Sequence, residues 1–274
     1  MSSRSALPGW IAVAAWVAAG AAASAGAAPA CRSASGPSTA PLVELYTSEG
    51  CSSCPPADRW LASTFGASPR PATAPDSGSV VAIALHVDYW DRQGWVDRFA
   101  TPAYTQRQYA AMRANRQSFV YTPQVLLQGR DLPAWRDPAA WAAISAAAAR
   151  PARAKLALEA EPEGSRVTVR AAARVDDPVL RQDARLFVAY VDSGLHSEVG
   201  AGENRGLRLT HDHVVRALTA AGGLGADGSA HAQVVFARPA EAGTAATIVA
   251  FVQRDSSGEV LQALALPLAD CASR

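Results

Sequence analysis

The chain has 274 residues, a formal net charge of +1, 49% hydrophobic and 18% charged residues, and four cysteines. So even a charge balance carries no electrostatic footprint for DNA, RNA or an anionic membrane surface, and nucleic-acid binding is not expected. Only one lysine occurs, Lys155; arginine supplies the other basic groups.

Residues 1–30 read as a signal peptide. Arg4 precedes an apolar run from Gly9 to Ala28, and Ala28-Pro29-Ala30 fits the small-residue cleavage pattern. The alternative is an uncleaved N-terminal anchor, since the run is nearly long enough to span a bilayer. Lipidation at Cys31 is disfavoured, because the larger apolar residue usual three positions earlier is missing. A periplasmic or secreted location follows as the expectation.

Beyond the leader, residues 33–41 form a polar lead-in and Leu42–Tyr46 a short strand. Cys51-Ser52-Ser53-Cys54 follows, and Pro55 and Pro56 stand where a helix can begin without needing their N–H groups. That helix should run to about Phe65, followed by a Pro/Ser/Gly-rich loop over 66–79. Val80–Val87 is a continuous apolar run, as in a strand covered on both faces. Pro102–Arg116 reads as a helix, Pro123–Gln128 as a strand and Asp137–Arg150 as an Ala-rich helix with aspartate at its start.

After Pro151 the texture changes to short strands separated by turn residues: 156–161, 166–175, 185–191, 232–238, 247–254 and 261–268. That spacing suggests an antiparallel sandwich. The expected organisation is therefore a leader (1–30), an α/β domain (31–150) and a smaller all-β, sandwich-like domain (151–274).

An exported chain with four cysteines suggests pairing, and four allow three connectivities. Cys31 opens the mature chain and Cys271 nearly closes it. Chain ends often lie close in space, so a Cys31–Cys271 staple is expected, leaving Cys51 and Cys54 for each other.

A C-x-x-C at a helix N-terminus has chemical consequences. The helix dipole and unpaired amides favour a thiolate on the first cysteine, and the second can resolve a mixed disulfide. Cys51 is then the nucleophile, left exposed by the small Ser52 and Ser53, and Cys54 the resolving thiol. A purely structural bridge over so short a loop would gain little chain entropy. A zinc site would want two more ligands at recognisable spacing, and His211 and His213 lie far away in sequence.

Thr122-Pro123 places a proline at a strand start. The order strand, C-x-x-C, helix, strand, helix, Thr-Pro, strand, helix is that of the thioredoxin fold. There the residue before a cis proline faces the thiols and pairs with substrate backbone. His86 and Asp88 could exchange protons with the thiols, and Trp90 and Trp95 could wall a bound peptide. The bland readings are a core histidine, a turn aspartate and core tryptophans. Residues 202–206 (GENRG) and 209–213 (LTHDH) could fold back over the thiols or form a solvated loop.

The stretches VELYTSEGCSSCPPAD, ALHVDYWDRQGWVDRF, YTPQVLL and GENRGLRLTHDHVVR resemble a family of secreted proteins known as domain of unknown function 1223. The resemblance spans nearly all of the mature chain and implies a thioredoxin-like fold and a thiol motif, with no established reaction. The chain departs from typical thioredoxins in having Gly50 before Cys51, Ser-Ser between the cysteines and two prolines after them.

The expectation is an exported thiol–disulfide oxidoreductase acting on protein thiols or disulfides. It would use Cys51, Cys54, Thr122 and Pro123, with Asp88, Trp90 and Trp95 contacting substrate, and no resident metal or cofactor. The alternative is a non-enzymatic binding or assembly protein, or a Cu(I) carrier on the same cysteines. The direction of electron flow is left open.

Overall fold

The computed structural model describes Met1 and residues 31–66 and 80–271. The expected leader, apart from Met1, and nearly all of the expected 66–79 loop lie outside the described residues. The chain is a mixed α/β protein, mostly sheet with few helices, and its strands form three sheets.

In chain order the elements begin with β1 (Cys31–Ala34), β2 (Leu42–Thr47), α1 (Pro55–Phe65), β3 (Val81–His86) and α2 (Pro102–Ala114). Next come β4 (Gln124–Leu127), β5 (Arg130–Asp131), α3 (Pro138–Ala148), β6 (Lys155–Glu163), β7 (Arg166–Arg174), β8 (Ala184–Ser193) and β9 (Leu195–Glu198). The chain ends with β10 (Arg208–His211), β11 (Val214–Gly223), β12 (Ser229–Ala237), β13 (Ala245–Arg254) and β14 (Val260–Pro267).

Local chemistry explains the helix starts. Each helix has proline in its first turn, where an N–H would find no intrahelical partner. Thr101 caps α2, its side chain accepting from the Ala103 N–H. Asp137 takes the extended cap position of α3 but makes no side-chain capping bond.

The largest sheet has eight strands in the order β14-β13-β8-β11-β3-β2-β4-β5. β2 and β3 run parallel, from Leu42 beside Val81 to Thr47 beside His86. Every residue of both strands is buried, which is why β3 reads as an unbroken apolar run. On one face Val43, Leu45, Ala82 and Ala84 pack with Ala57 and Leu61 of α1 and Ile144 of α3. On the other, Leu42, Tyr46, Ile83 and Leu85 pack with Tyr104 of α2. Burying one such Leu or Ile side chain contributes about 1.5–3 kcal/mol.

After residue 151, β9 and β10 form a sheet of their own, and the other strands lie in two packed sheets, one of which is shared with the α/β half. The four-stranded sheet β1-β6-β7-β12 packs through Leu156, Leu158, Val167 and Val169 onto Leu186, Val188, Ile248 and Ala250 of the eight-stranded sheet. The seam is β11, whose Val214 pairs in parallel with Ala84 of β3. Its Ala/Gly-rich sequence carries little strand signal, and its partner lies in a distant part of the chain. An ion pair of the α/β half lies near this seam: Arg107 of α2 reaches Glu44 of β2, Nη2 to Oε1 at 2.6 Å. The guanidinium also lies over the Phe187 and Phe251 rings, 5.3 and 5.0 Å from their centroids.

Cys31 and Cys271 are disulfide-bonded, both buried, with Cα atoms 4.7 Å apart. The bridge ties β1 to the turn after β14, across a sequence separation of 240. Among the described residues no helix is long and apolar enough to cross a membrane.

Candidate functional site

β2 ends at Thr47, and the next turn brings Cys51 and Cys54 to the mouth of α1. The Cys51 N–H donates to the Ser48 carbonyl and the Cys54 N–H to the Cys51 carbonyl. Cys54 is the N-cap of α1, and its carbonyl accepts from the Ala57 and Asp58 N–H groups. The two cysteines form a disulfide with Cα atoms 5.4 Å apart. The Thr122-Pro123 bond is cis, and the Thr122 carbonyl oxygen lies 3.9 Å from the Cys51 sulfur. Trp90 Nε1 donates to Thr122 Oγ1 at 2.8 Å, joining the loop after β3 to the proline loop. Gly50 packs closely here: a Cβ at that position would stand 3.1 Å from Trp90 Cβ, and the loop after β3 would have to give by a few tenths of an ångström.

One expectation fails. Ser52 and Ser53 are exposed, yet Cys51 is only 1% exposed and Cys54 is fully buried. The cover comes from segments distant in sequence. The loop between β9 and β10 folds over the thiol turn, where Asn204 Nδ2 donates to the carbonyls of Glu49 at 2.8 Å and Cys51 at 2.9 Å. Beside it the Ser52 N–H donates to Glu203 Oε2 at 3.0 Å.

The other expected site residues divide. Trp90 belongs to the site through Thr122. Asp88 is held by α2 instead, its N–H donating to Thr105 Oγ1 and its carboxylate accepting from that hydroxyl. Trp95 is half-buried, donating to Glu49 Oε2 at 2.7 Å and packing beside Gly200 and Gly202. His86 is 1% exposed, its Nδ1 2.6 Å from Asp97 Oδ2.

Behind the disulfide lies a polar cluster that only partly showed in the sequence reading. Asp97 accepts from His86 and from the N–H groups of Glu49 and Phe99. Glu49 Oε1 lies 3.2 Å from His211 Nε2, and the His86 and His211 rings meet edge to face at 5.1 Å. Glu49, Asp97 and Asp58 went unremarked as functional groups. The available signal was the density of acids and histidines in 47–58, 86–97 and 211–213.

Burial opposes charge throughout this cluster, and specific partners decide the outcome. For His86 burial works against the imidazolium, but Asp97 outweighs it and the net shift is upward. For Asp97 burial works to raise the carboxyl, and His86 and two amides bring it below its ordinary value. Glu49 is likewise lowered: burial raises it, and the bond from His211 heads the opposing interactions. Asp58, in the first turn of α1, is raised chiefly by burial. His213 is pushed down by burial.

These directions give a pH prediction. His86 is raised above its unfolded value of about 6.5, so its contribution is fully present below that pH and is lost as pH rises through the folded value. Asp97 and Glu49 are lowered, so theirs is present above about pH 4 and is lost as acid titrates the folded carboxylates. The stability advantage of wild type over His86→Gln, measured by urea unfolding, should shrink as pH rises above about 6.5, by at most about 1.4 kcal/mol per pH unit. A constant advantage would mean that His86 is neutral in the fold. Asp97→Ala, which strands a buried imidazolium and two amides, should cost about 3–5 kcal/mol in the same assay at about pH 6.

Among the described residues no group of three or more His, Cys, Asp or Glu side chains is arranged to hold a metal ion.

A family model described as a protein of unknown function (DUF1223) matches residues 42–253. The fold is similar to a crystal structure of a protein from Agrobacterium tumefaciens, at 24% identity and a TM-score of 0.55, covering 84% of this chain and 94% of that one. It is also similar to HBP35 of Porphyromonas gingivalis, at 16% identity and a TM-score of 0.57, covering 85% of this chain and 76% of that one. No curated protein sequence matches the chain at a significant level.

Proposed function

The chain belongs to the DUF1223 family of proteins of unknown function, and from that premise we propose that it is an exported thiol–disulfide oxidoreductase built on a thioredoxin-like fold. The observation that carries the reading is the Cys51–Cys54 disulfide at the N-cap of α1, set against the residue before the cis proline. The order β2, C-x-x-C, α1, β3, α2, Thr-Pro, β4, β5, α3 supports it, as do helices on both faces of the parallel β2–β3 pair.

The chemistry runs as two exchanges. In the reduced protein the Cys51 thiolate attacks one sulfur of a substrate disulfide; that S–S bond breaks and a substrate thiolate leaves. Cys54 then attacks the Cys51 sulfur, the mixed disulfide breaks, and the second substrate thiolate leaves. Two electrons have passed to the substrate and Cys51–Cys54 is again a disulfide. The reverse order oxidises a substrate dithiol. Residue 122, before the cis proline, offers backbone to the substrate strand beside the reacting sulfur. Asp58, one turn beyond Cys54 on α1, has its carboxyl raised above the ordinary value chiefly by burial, which makes its carboxylate a stronger base for the proton that leaves the buried thiol.

The test is equilibrium with glutathione redox buffers. The Cys51–Cys54 pair should titrate as a two-electron couple between roughly −120 and −270 mV, the span of known thiol–disulfide catalysts. A potential below about −300 mV would mark a structural cystine and overturn the reading.

A further inference from the structure

The thiol pair is covered by a part of the chain about 150 residues away, held by few bonds. β9 and β10 pair only with each other, register Arg208 with Glu198 to His211 with Leu195. The base of this ribbon is anchored: Leu195, Leu209 and His211 are buried. Its tip, residues 199–207, closes on itself through Val199 N–H to Leu207 O and Gly206 N–H to Val199 O. Gly202 (φ +73°) and Gly206 (φ +82°) bracket Glu203–Arg205 in the left-handed region that favours glycine.

Across the tip, the attachment to the thiol turn has two parts of different strength. Asn204 is 3% exposed and gives both amide hydrogens to backbone carbonyls, one of them that of Cys51 itself. Glu203 is exposed, and its bond to the Ser52 N–H competes with water. That second bond also bears on reactivity. Pro55 and Pro56 carry no N–H, and the Ser52 amide, next to Cys51, is already occupied by a carboxylate. A thiolate on Cys51 would compete with an anion for that donor.

We propose that the β9–β10 tip is a latch, with Asn204 as the positioning residue that keeps Cys51 covered and Glu203 as the group that occupies the Ser52 amide. Lifting the tip exposes the sulfur and frees that N–H in one movement. Entry to the site is then governed by a loop from the second half of the chain, and only a partner able to displace Asn204 reaches Cys51. This rests on the oxidoreductase reading for its purpose, but its physical content is independent of it.

The experiment is reduction of the full mature protein by dithiothreitol, which passes two electrons to a disulfide and leaves as its own cyclic disulfide. Quenching with iodoacetamide and peptide mass spectrometry report each cystine separately. Asn204→Ala, and Asn204→Asp with the same shape but no N–H to donate, should open Cys51–Cys54 roughly 10-fold faster, the scale of one to two ordinary hydrogen bonds. Glu203→Gln should accelerate it less. Cys31–Cys271 should open at the wild-type rate in every variant, which separates unlatching from general loosening of the fold. Unchanged rates at Cys51–Cys54, or equal acceleration of both cystines, overturn the latch. A potential below about −300 mV with an intact Asn204 effect would instead remove the oxidoreductase reading and leave the latch.

Discussion

Cys54→Ser, reduced and mixed with a protein disulfide, accumulates a mixed disulfide through Cys51, and Cys51→Ser accumulates none. The asymmetry follows from position. The Cys51 sulfur lies against the Thr122 carbonyl, whereas Cys54 is the N-cap of α1. In the proposed chemistry the first attacks the external sulfur and the second releases the product. Either serine should lower turnover roughly 10³-fold or more, the scale on which removal of a covalent nucleophile acts. Non-reducing mass spectrometry of the adduct checks the result. An adduct through Cys54, or equal adducts from both variants, would reverse the assignment.

The second large effect concerns stability. Cys31 and Cys271 are bridged at a sequence separation of 240, so the closed loop takes in every described element. In the chain-entropy description such a loop restricts the unfolded ensemble by about 5 kcal/mol, at the top of the usual 2–5 range. The double variant Cys31→Ala/Cys271→Ala should therefore unfold at markedly lower urea, with a Tm about 10 °C lower for a chain of this length. The Cys51–Cys54 bridge closes a loop of separation 3, for which the same description gives about 2 kcal/mol. Two bridges in one molecule thus restrain the chain to different extents, one holding distant ends and the other a single turn. A terminal-bridge variant as stable as wild type would remove that contrast.

Several features could be read directly from residues in order. The apolar run 80–87 appears as β3, and the paired prolines after Cys54 mark the start of α1. Thr101-Pro102 opens α2, and the alternating segments after residue 151 are strands. The cysteine pairing followed from position alone. These succeed because their causes are local: a proline's missing N–H, a side-chain period of two, or a chain end. The short β1, β9 and β10 were not anticipated, and neither was the Ala/Gly-rich β11, whose strand character comes from the neighbours β8 and β3.

The site divides in the same way. The motif in residues 51–54 and the proline at 123 were legible, because their spacing carries the chemistry. Their surroundings were not. Trp95 bonds Glu49 across 46 positions and Asp88 bonds Thr105 across 17, partnerships that spacing does not report.

The order of amino acids alone thus determined that a strand would deliver two thiols to a helix mouth and that the ends would be stapled. Packing of the whole chain decided that strands from both halves share one sheet, that acids and imidazoles gather behind the sulfurs, and that Asn204 closes over Cys51 across 153 residues. The reason is range: periodicity reports neighbours two to four positions apart, whereas what shields a sulfur depends on where distant segments come to rest.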